Sequence, residues 1–463
     1  MKTFLSHRVS KATPLFLLLT LALKVGFAQG VLKNNGTFVN TGTSTYTRIE
    51  NFKTSAGTIL NSGTLNSTTT FLNQSGGLNG KVLNYIGSGG GTINVTTNLD
   101  NNAAGAIFDN DSLTLSTVLR VGGSITNAGT FDTDTGKVEY NGAGVQTIIA
   151  TTYGALVTSN ASAKSIASGT TTVRDSIRIA GSSSIVTSTN TLSFSGATFT
   201  LQGTGALDAS SGTVNYSGDR DQQIIAGTYG TLITSGSTTA RTKTATGNVT
   251  LSASGSLTVG NNDTLSVTGN LNLSAAGVTL TNNNVIKMGG NATFVGTITS
   301  VGSFYYAGSG SQNIGTNTYA TLRLGGSSTK TFPNGTVAVT SNYTIDNGSG
   351  SRDYTSNTST FQFAGTSGTQ TISGLSETFY ILQFAGAATK PISGTSLGAA
   401  RLDILATSGL VTNNVTTMTL TNISNISMTV ASGASFQNNQ AILFNGDIEN
   451  DGVFTNAGTV TAN

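Results

Sequence analysis

Four acidic groupings are the places in this chain where side chains of the right type lie close enough to do chemistry. Asp109 with Asp111, Asp132 with Asp134, Asp219-Arg220-Asp221 and Asp447-Ile448-Glu449-Asn450-Asp451 each set carboxylates two residues apart. Alternate residues of a strand share a face, so each grouping would put two carboxylates side by side. A glycosidase needs such a pair for proton transfer and attack, and a lyase needs one to hold calcium. The simpler reading puts these acids at solvated turns, where Asp is favoured for its local hydrogen bonding. On that reading no residue is assigned as catalytic.

Other chemistries lack their residue types. The only histidine is His7, and the chain has no cysteine, so a Ser-His-Asp or Cys-His nucleophile and a zinc site of the usual ligands are not expected. Asp447, Glu449, Asp451 and Gly452 open like a calcium loop, but Gly458 stands where its closing carboxylate belongs. Gly80-Lys81 has Ser75 in place of the glycine a phosphate-binding loop requires and Val82 in place of its hydroxyl residue. No metal and no cofactor is expected.

The strongest pattern is a repeat. Tyr140, Gly142, Gln146, Ile148, Tyr153, Leu156 and Lys164 return in order as Tyr216, Gly218, Gln222, Ile224, Tyr229, Leu232 and Lys243. They return again as Tyr306, Gly308, Gln312, Ile314, Tyr319, Leu322 and Lys330. The last copy is Phe363, Gly365, Gln370, Ile372, Phe379, Leu382 and Lys390, with one extra residue before the glutamine and two before the second aromatic. Tight spacing within a unit and loose spacing between units is the mark of stacked layers with variable loops. Phe in place of Tyr in the last copy favours packing over sugar stacking for the aromatics and makes their hydroxyls look dispensable. The four lysines, Lys164, Lys243, Lys330 and Lys390, are the candidate ligand-facing residues, an outward row that could meet an anionic glycan. Their ordinary alternative is protection of strand edges against aggregation.

Composition narrows the setting. Only 9% of residues are charged and 59 are Gly, yet the chain has three prolines and 37% apolar residues, which is not the make-up of a disordered segment. Lys2, Arg8 and Lys11 precede the apolar run Leu15 to Leu23, and Gly26-Phe27-Ala28 supplies small residues for cleavage, so residues 1–28 read as a secretory signal. They carry four of the 22 basic residues and none of the 19 acids, which leaves 18 against 19, a net charge of −1. No nucleic-acid partner is expected of such a balance. No later segment has the length of apolar sequence that crosses a bilayer as a helix.

The elements that must position these residues are strands. Beyond the signal no stretch shows helical periodicity, and short alternating runs such as Leu265-Ser266-Val267 and Leu271-Asn272-Leu273 recur between Gly, Asn and Ser turns. A second motif selects the architecture. Ile59-Leu60-Asn61-Ser62-Gly63-Thr64-Leu65, Ile125-Thr126-Asn127-Ala128-Gly129-Thr130-Phe131 and Phe454-Thr455-Asn456-Ala457-Gly458-Thr459-Val460 share one corner template, which Phe38-Val39-Asn40-Thr41-Gly42-Thr43 largely matches. Its Asn and Gly are read as left-handed corner residues, with the Asn side chains hydrogen-bonding along a stack. The fold class expected is all-β, a parallel and right-handed β-helix or solenoid, one elongated rod of about 20 coils after the signal. Its zones are 29–135 with the Asn-Gly-Thr corners, 136–422 with the four long units, and 423–463 with further coils. An uncapped end within a corner motif predicts that the protein continues past Asn463. Thr-x-Thr pairs do not recur at one spacing, so an ice-binding face is not expected.

The unit Gly212-Thr213-Val214-Asn215-Tyr216-Ser217-Gly218, running on to Gln222-Gln223-Ile224 and Gly227-Thr228-Tyr229-Gly230-Thr231-Leu232, resembles repeats of long secreted surface proteins of Bacteroidetes. The signal ending Phe27-Ala28-Gln29 is similar too. More distantly, the chain resembles the β-helical passengers of autotransporters and filamentous-haemagglutinin-type adhesins. The resemblance implies an extracellular or outer-membrane surface location, a C-terminal sorting or anchoring domain beyond this sequence, and a glycan or cell-surface ligand. It also implies O-glycosylation at Asp111-Ser112-Leu113, Asp175-Ser176-Ile177 and Asp263-Thr264-Leu265. The function expected is a non-enzymatic stalk or adhesin-like rod. The alternative is a polysaccharide lyase or hydrolase using Asp carboxylates.

Overall fold

Strands of two to fifteen residues follow one another from Val31 to Ala462 in the computed structural model, and no helix occurs among the described residues. Those residues are 30–51, 58–73, 81–86, 89–101, 103, 106–110, 117–294, 297–346, 350–373 and 376–462. The expected signal, 1–28, and Asp111 lie outside them. The fold is a parallel β-solenoid of about 19 turns. Its residues form two compact units, up to Lys137 and from Val138 onward.

In the first unit each coil contributes three parallel strands, and the third coil adds a short antiparallel pair, Tyr85–Ile86 with Gly89–Gly90. The first coil is β1 (Val31–Asn34), β2 (Thr37–Asn40) and β3 (Thr43–Tyr46), and the second is β4 (Arg48–Asn51), β5 (Thr58–Asn61) and β6 (Thr64–Ser67). Each strand pairs in parallel with its counterpart one coil on: Leu32 with Ile49, Phe38 with Ile59, Ser44 with Leu65. Alternation then stacks apolar side chains in columns. Phe38, Ile59, Val82, Phe108 and Phe131 form one such column, in which Ile59, Val82 and Phe108 are fully buried. Burial of this kind contributes about 1.5–3 kcal/mol per large side chain.

The corners carry the asparagine stacks that the sequence predicts. Along one corner Asn34 donates to Asn51 at 2.9 Å, Asn51 to Asn73 at 2.9 Å, Asn73 to Asn101 at 2.7 Å and Asn101 to Asn127 at 2.7 Å. Along the next, Asn40, Asn61, Asn84 and Asn110 are linked in the same way at 2.6 to 2.7 Å. Every amide–amide bond in these stacks runs from Nδ2 of the earlier coil to Oδ1 of the later one. Most of these Nδ2 groups also reach a backbone carbonyl, as Asn61 does to Gly63 and Thr92, so the buried amides are satisfied.

One expectation about these corners is corrected. Neither Asn40, Asn61 and Asn127 nor Gly42, Gly63 and Gly129 has a positive φ. Glycine is needed because the coils stack too closely for a side chain: a Cβ on Gly63 would lie 2.0 Å from the carbonyl oxygen of Gly42, and one on Gly129 would lie 2.2 Å from that of Ala106. Gly42 itself has open space there. Gly63→Ala is therefore expected to cost about 1–3 kcal/mol in urea unfolding, with Gly42→Ala close to neutral. Equal effects at the two sites would contradict the stacking explanation.

The second unit repeats the scheme with longer, kinked strands. Leu192, Val214, Leu232, Leu257 and Leu280 occupy one inward column, each at most 1% exposed. Asn413, Asn438 and Asn456 form a further amide stack at 2.8 and 2.7 Å.

Candidate functional site at the repeated corner

The repeated glutamine and lysine meet across neighbouring coils. Strand pairing sets Gln146 against Lys164, Gln222 against Lys243 and Gln312 against Lys330, and the Thr369–Thr389 bridge sets Gln370 against Lys390. Each glutamine Oε1 accepts the backbone N–H of the repeat's glycine, at 2.8 Å from Gly142, 3.1 Å from Gly218, 2.8 Å from Gly308 and 2.9 Å from Gly365. In the last three copies its Nε2 reaches down to the coil before. Gln222 donates to the carbonyls of Phe194 at 3.0 Å and Gly196 at 2.8 Å, and Gln370 to those of Val339 and Ser341 at 2.8 and 3.1 Å.

The lysine closes the corner from the coil above, and here the expected outward row is overturned. Lys164, Lys243, Lys330 and Lys390 are all 0% exposed. The ammonium of Lys164 donates to the carbonyls of Gly142 at 2.7 Å and Gly144 at 3.0 Å and to Ser162 Oγ at 3.0 Å. Lys330 reaches Gly308 at 3.1 Å, and Lys390 reaches Gly386 at 2.6 Å and Ala388 at 2.7 Å. Lys243 donates to Gly218, to Arg220 at 2.9 Å and to Gln222 Oε1 at 2.8 Å, and Asp263 lies 3.8 Å away. Burial lowers the pKa of Lys164, Lys243 and Lys330, and pushes that of Lys390 down to about 8. An ammonium whose donors end on carbonyls inside a corner has none to offer a ligand. The sequence did carry a signal for this. Ile166, Ala245, Phe332 and Ile392 stand two residues after the lysines and are buried, and on a strand residues i and i+2 share a face.

The aromatics pack inside as expected, but their hydroxyls are used. Tyr140 and Tyr153 hydroxyls lie 2.9 Å apart, Tyr140 accepts from the N–H of Ile149 at 3.3 Å, and Tyr153 donates to its carbonyl at 2.9 Å. Tyr306 and Tyr319 treat Gly315 in the same way, at 3.1 and 2.7 Å, and Tyr216 and Tyr229 enclose Ile225. Each pair thus satisfies both the N–H and the carbonyl of one residue between them. In the fourth copy the corresponding residue, Ser373, is exposed to solvent, so Phe363 and Phe379 can both lack the hydroxyl. Tyr306→Phe and Tyr319→Phe are each expected to cost about 1–2 kcal/mol in chemical unfolding, and the double variant less than their sum. Strict additivity would contradict a shared network.

Of the acidic groupings, Asp219 with Asp221 is tied into the coils, whereas Asp447, Glu449 and Asp451 are exposed on the last described coil. Asp219 accepts from Thr238 Oγ1 and from Arg241 Nε at 3.2 Å, and Asp221 accepts from the N–H of Thr242 at 2.8 Å, so both fasten the next coil. The Thr238 bond, then the Arg241 bond, holds Asp219 below the usual carboxylate range, the opposite of what a general acid needs. Asp132 and Asp134 stand half-buried within the strand Thr130–Tyr140 rather than at a turn, and Asp132 accepts from the N–H of Asp134 at 3.4 Å. Asp263 is 1% exposed beside Lys243.

A different surface emerges from the register. Thr170, Thr191, Thr213, Thr231, Ser256 and Thr279 fall in one outward column, and Thr172, Ser193, Asn215, Ile233, Thr258 and Thr281 in the adjacent one. Spacing in sequence hides this alignment because the loops between coils differ in length. Strand geometry spaces these side chains by about 4.8 Å between coils and about 6.6 Å along a strand, a largely hydroxyl grid on one face that Asn215 and Ile233 interrupt.

Fold and corner together define a β-solenoid repeat protein. No known protein family matches the chain, and no curated protein or solved structure is similar to it.

Proposed function

We propose that the chain is a non-enzymatic structural solenoid of the cell surface or extracellular space, serving as a stalk or adhesin that presents its hydroxyl face to a glycan or another surface. One observation carries the reading: the polar side chains of the fourfold repeat are consumed in fastening one coil to the next, Lys164, Lys243, Lys330 and Lys390 above all. The secretory signal read at residues 1–28 supports the location. The near-neutral charge of the remainder favours hydrogen-bonded ligands over polyanions.

The test is binding of the purified chain to a panel of neutral polysaccharides, cells and abiotic surfaces. Retention on at least one, lost in a Thr191→Lys, Thr213→Lys, Thr231→Lys variant that still folds, is the expected result. No retention anywhere would remove the adhesive role and leave a spacer. Release of reducing sugar from a polysaccharide, abolished by Asp219→Asn or Asp221→Asn, would replace the proposal with the enzymatic alternative.

A further inference from the structure

Two exposed cations meet over one aromatic ring in the second unit. Ser266, Lys287, Tyr305, Arg323 and Thr344 fall in one outward column of successive coils. The Lys287 ammonium, from the coil before, lies 5.6 Å from the centre of the Tyr305 ring, and the Arg323 guanidinium, from the coil after, lies 4.4 Å from it. Both cations are exposed, in a chain of which only 9% is charged.

Asp346 fixes the arrangement. Its Oδ2 accepts from the Tyr305 hydroxyl at 2.7 Å and its Oδ1 from Arg323 Nε at 2.8 Å, so ring and guanidinium are held in place together. That carboxylate takes only one edge of the guanidinium. Among the described residues the two Nη groups of Arg323 and the ammonium of Lys287 have no hydrogen-bond or ion-pair partner. One carboxylate therefore answers two cations, and the column keeps a surplus positive charge. Each cation gains about 0.5–1 kcal/mol from the ring at an exposed site and retains free donors for an anion from solvent.

We propose that this column binds an acidic polysaccharide laid along the stacking direction, with one carboxylate on Arg323 and another on Lys287. The two Nη donors of a guanidinium match the two oxygens of a carboxylate. Strand stacking sets Lys287 and Arg323 about 10 Å apart, two steps of about 4.8 Å, a separation that suits acids on alternate sugars. Ser303 and Thr321 occupy the neighbouring outward positions, two residues before Tyr305 and Arg323, and offer hydroxyls to the intervening sugar. The net charge of −1 left after the signal selects against densely charged polymers such as nucleic acids. The site stands on strands other than those of the hydroxyl columns and does not rest on them.

Titration of the purified full chain with hyaluronate, which carries a carboxylate on every second sugar, tests this at low salt. Saturable binding that weakens as salt rises is expected, with neutral dextran not bound. Lys287→Met should weaken it about threefold, and Lys287→Met with Arg323→Met about tenfold. Lys33→Met removes the same charge from the first unit and should leave the affinity unchanged. Unaltered circular dichroism and melting of Lys287→Met would show that the loss is not one of folding. No binding of hyaluronate, or equal binding of dextran, would overturn the proposal. Binding that Lys33→Met weakens as much as Lys287→Met does would overturn it equally, as attraction by overall charge.

Discussion

Between pH 10 and pH 12 the 138–463 unit is expected to unfold cooperatively. Burial pushes Tyr140, Tyr216 and Tyr306 up to about 12, and raises Tyr153, Tyr229 and Tyr319 well above the usual tyrosine value of 10. The fold keeps these phenols protonated while the unfolded chain ionises them. Their contribution is therefore complete below pH 10 and disappears as pH rises towards the folded-state value. Each tyrosine loses about 1.4 kcal/mol per pH unit in that window, so six lose roughly 8 kcal/mol by pH 11, comparable to the whole stability of an ordinary domain. The buried lysines act in the opposite sense at lower pH. An unfolded Lys390 stays protonated up to its ordinary value of 10.5, whereas the folded one releases its proton near 8, so that group adds stability as pH rises between the two. Phenolate absorbance and circular dichroism should then change together in one steep transition above pH 10. Gradual ionisation near pH 10 with the dichroism intact would contradict the buried tyrosine pairs.

Replacing the caged lysines should cost far more than replacing surface lysines. Lys243→Met keeps most of the side-chain volume but strips the cation from Asp263, which is 1% exposed and has Oδ2 without a hydrogen-bond partner. Breaking a buried pair from one side costs about 3–5 kcal/mol. Lys164→Met leaves the Gly142 and Gly144 carbonyls without their donor and no stranded charge, which predicts a smaller loss of about 1–3 kcal/mol. The order Lys243→Met, then Lys164→Met, with Lys287→Met near zero at its exposed site, is the expected outcome of urea unfolding. Losses below about 0.5 kcal/mol at the caged positions, typical of exposed sites, would contradict the carbonyl cages.

Much of the fold was legible because its determinants are local. Alternation in runs such as Leu265-Ser266-Val267 reports a strand directly, and the fixed offsets of Asn61, Asn127 and Asn456 report stacked corners. What failed needed the coil above or below. Gly63 looks like a left-handed corner residue until Gly42 is placed beneath it. The hydroxyl column from Thr170 to Thr279 is invisible while loop lengths differ, because only strand pairing brings its members into register. The lysines misled for another reason: the general habit of lysine outweighed the Lys-x-apolar alternation that placed each one on the inward face.

The central claim is that the fourfold pattern is a clamp between coils, with its lysines turned inwards. Amine-reactive labelling of the native chain, followed residue by residue by mass spectrometry, tests it most directly. Lys33 and Lys287, which are exposed, should be modified rapidly, while Lys164, Lys243, Lys330 and Lys390 should remain unmodified until the protein is denatured. Modification of those four at the rate of Lys33 would place them on the outside and contradict the clamp.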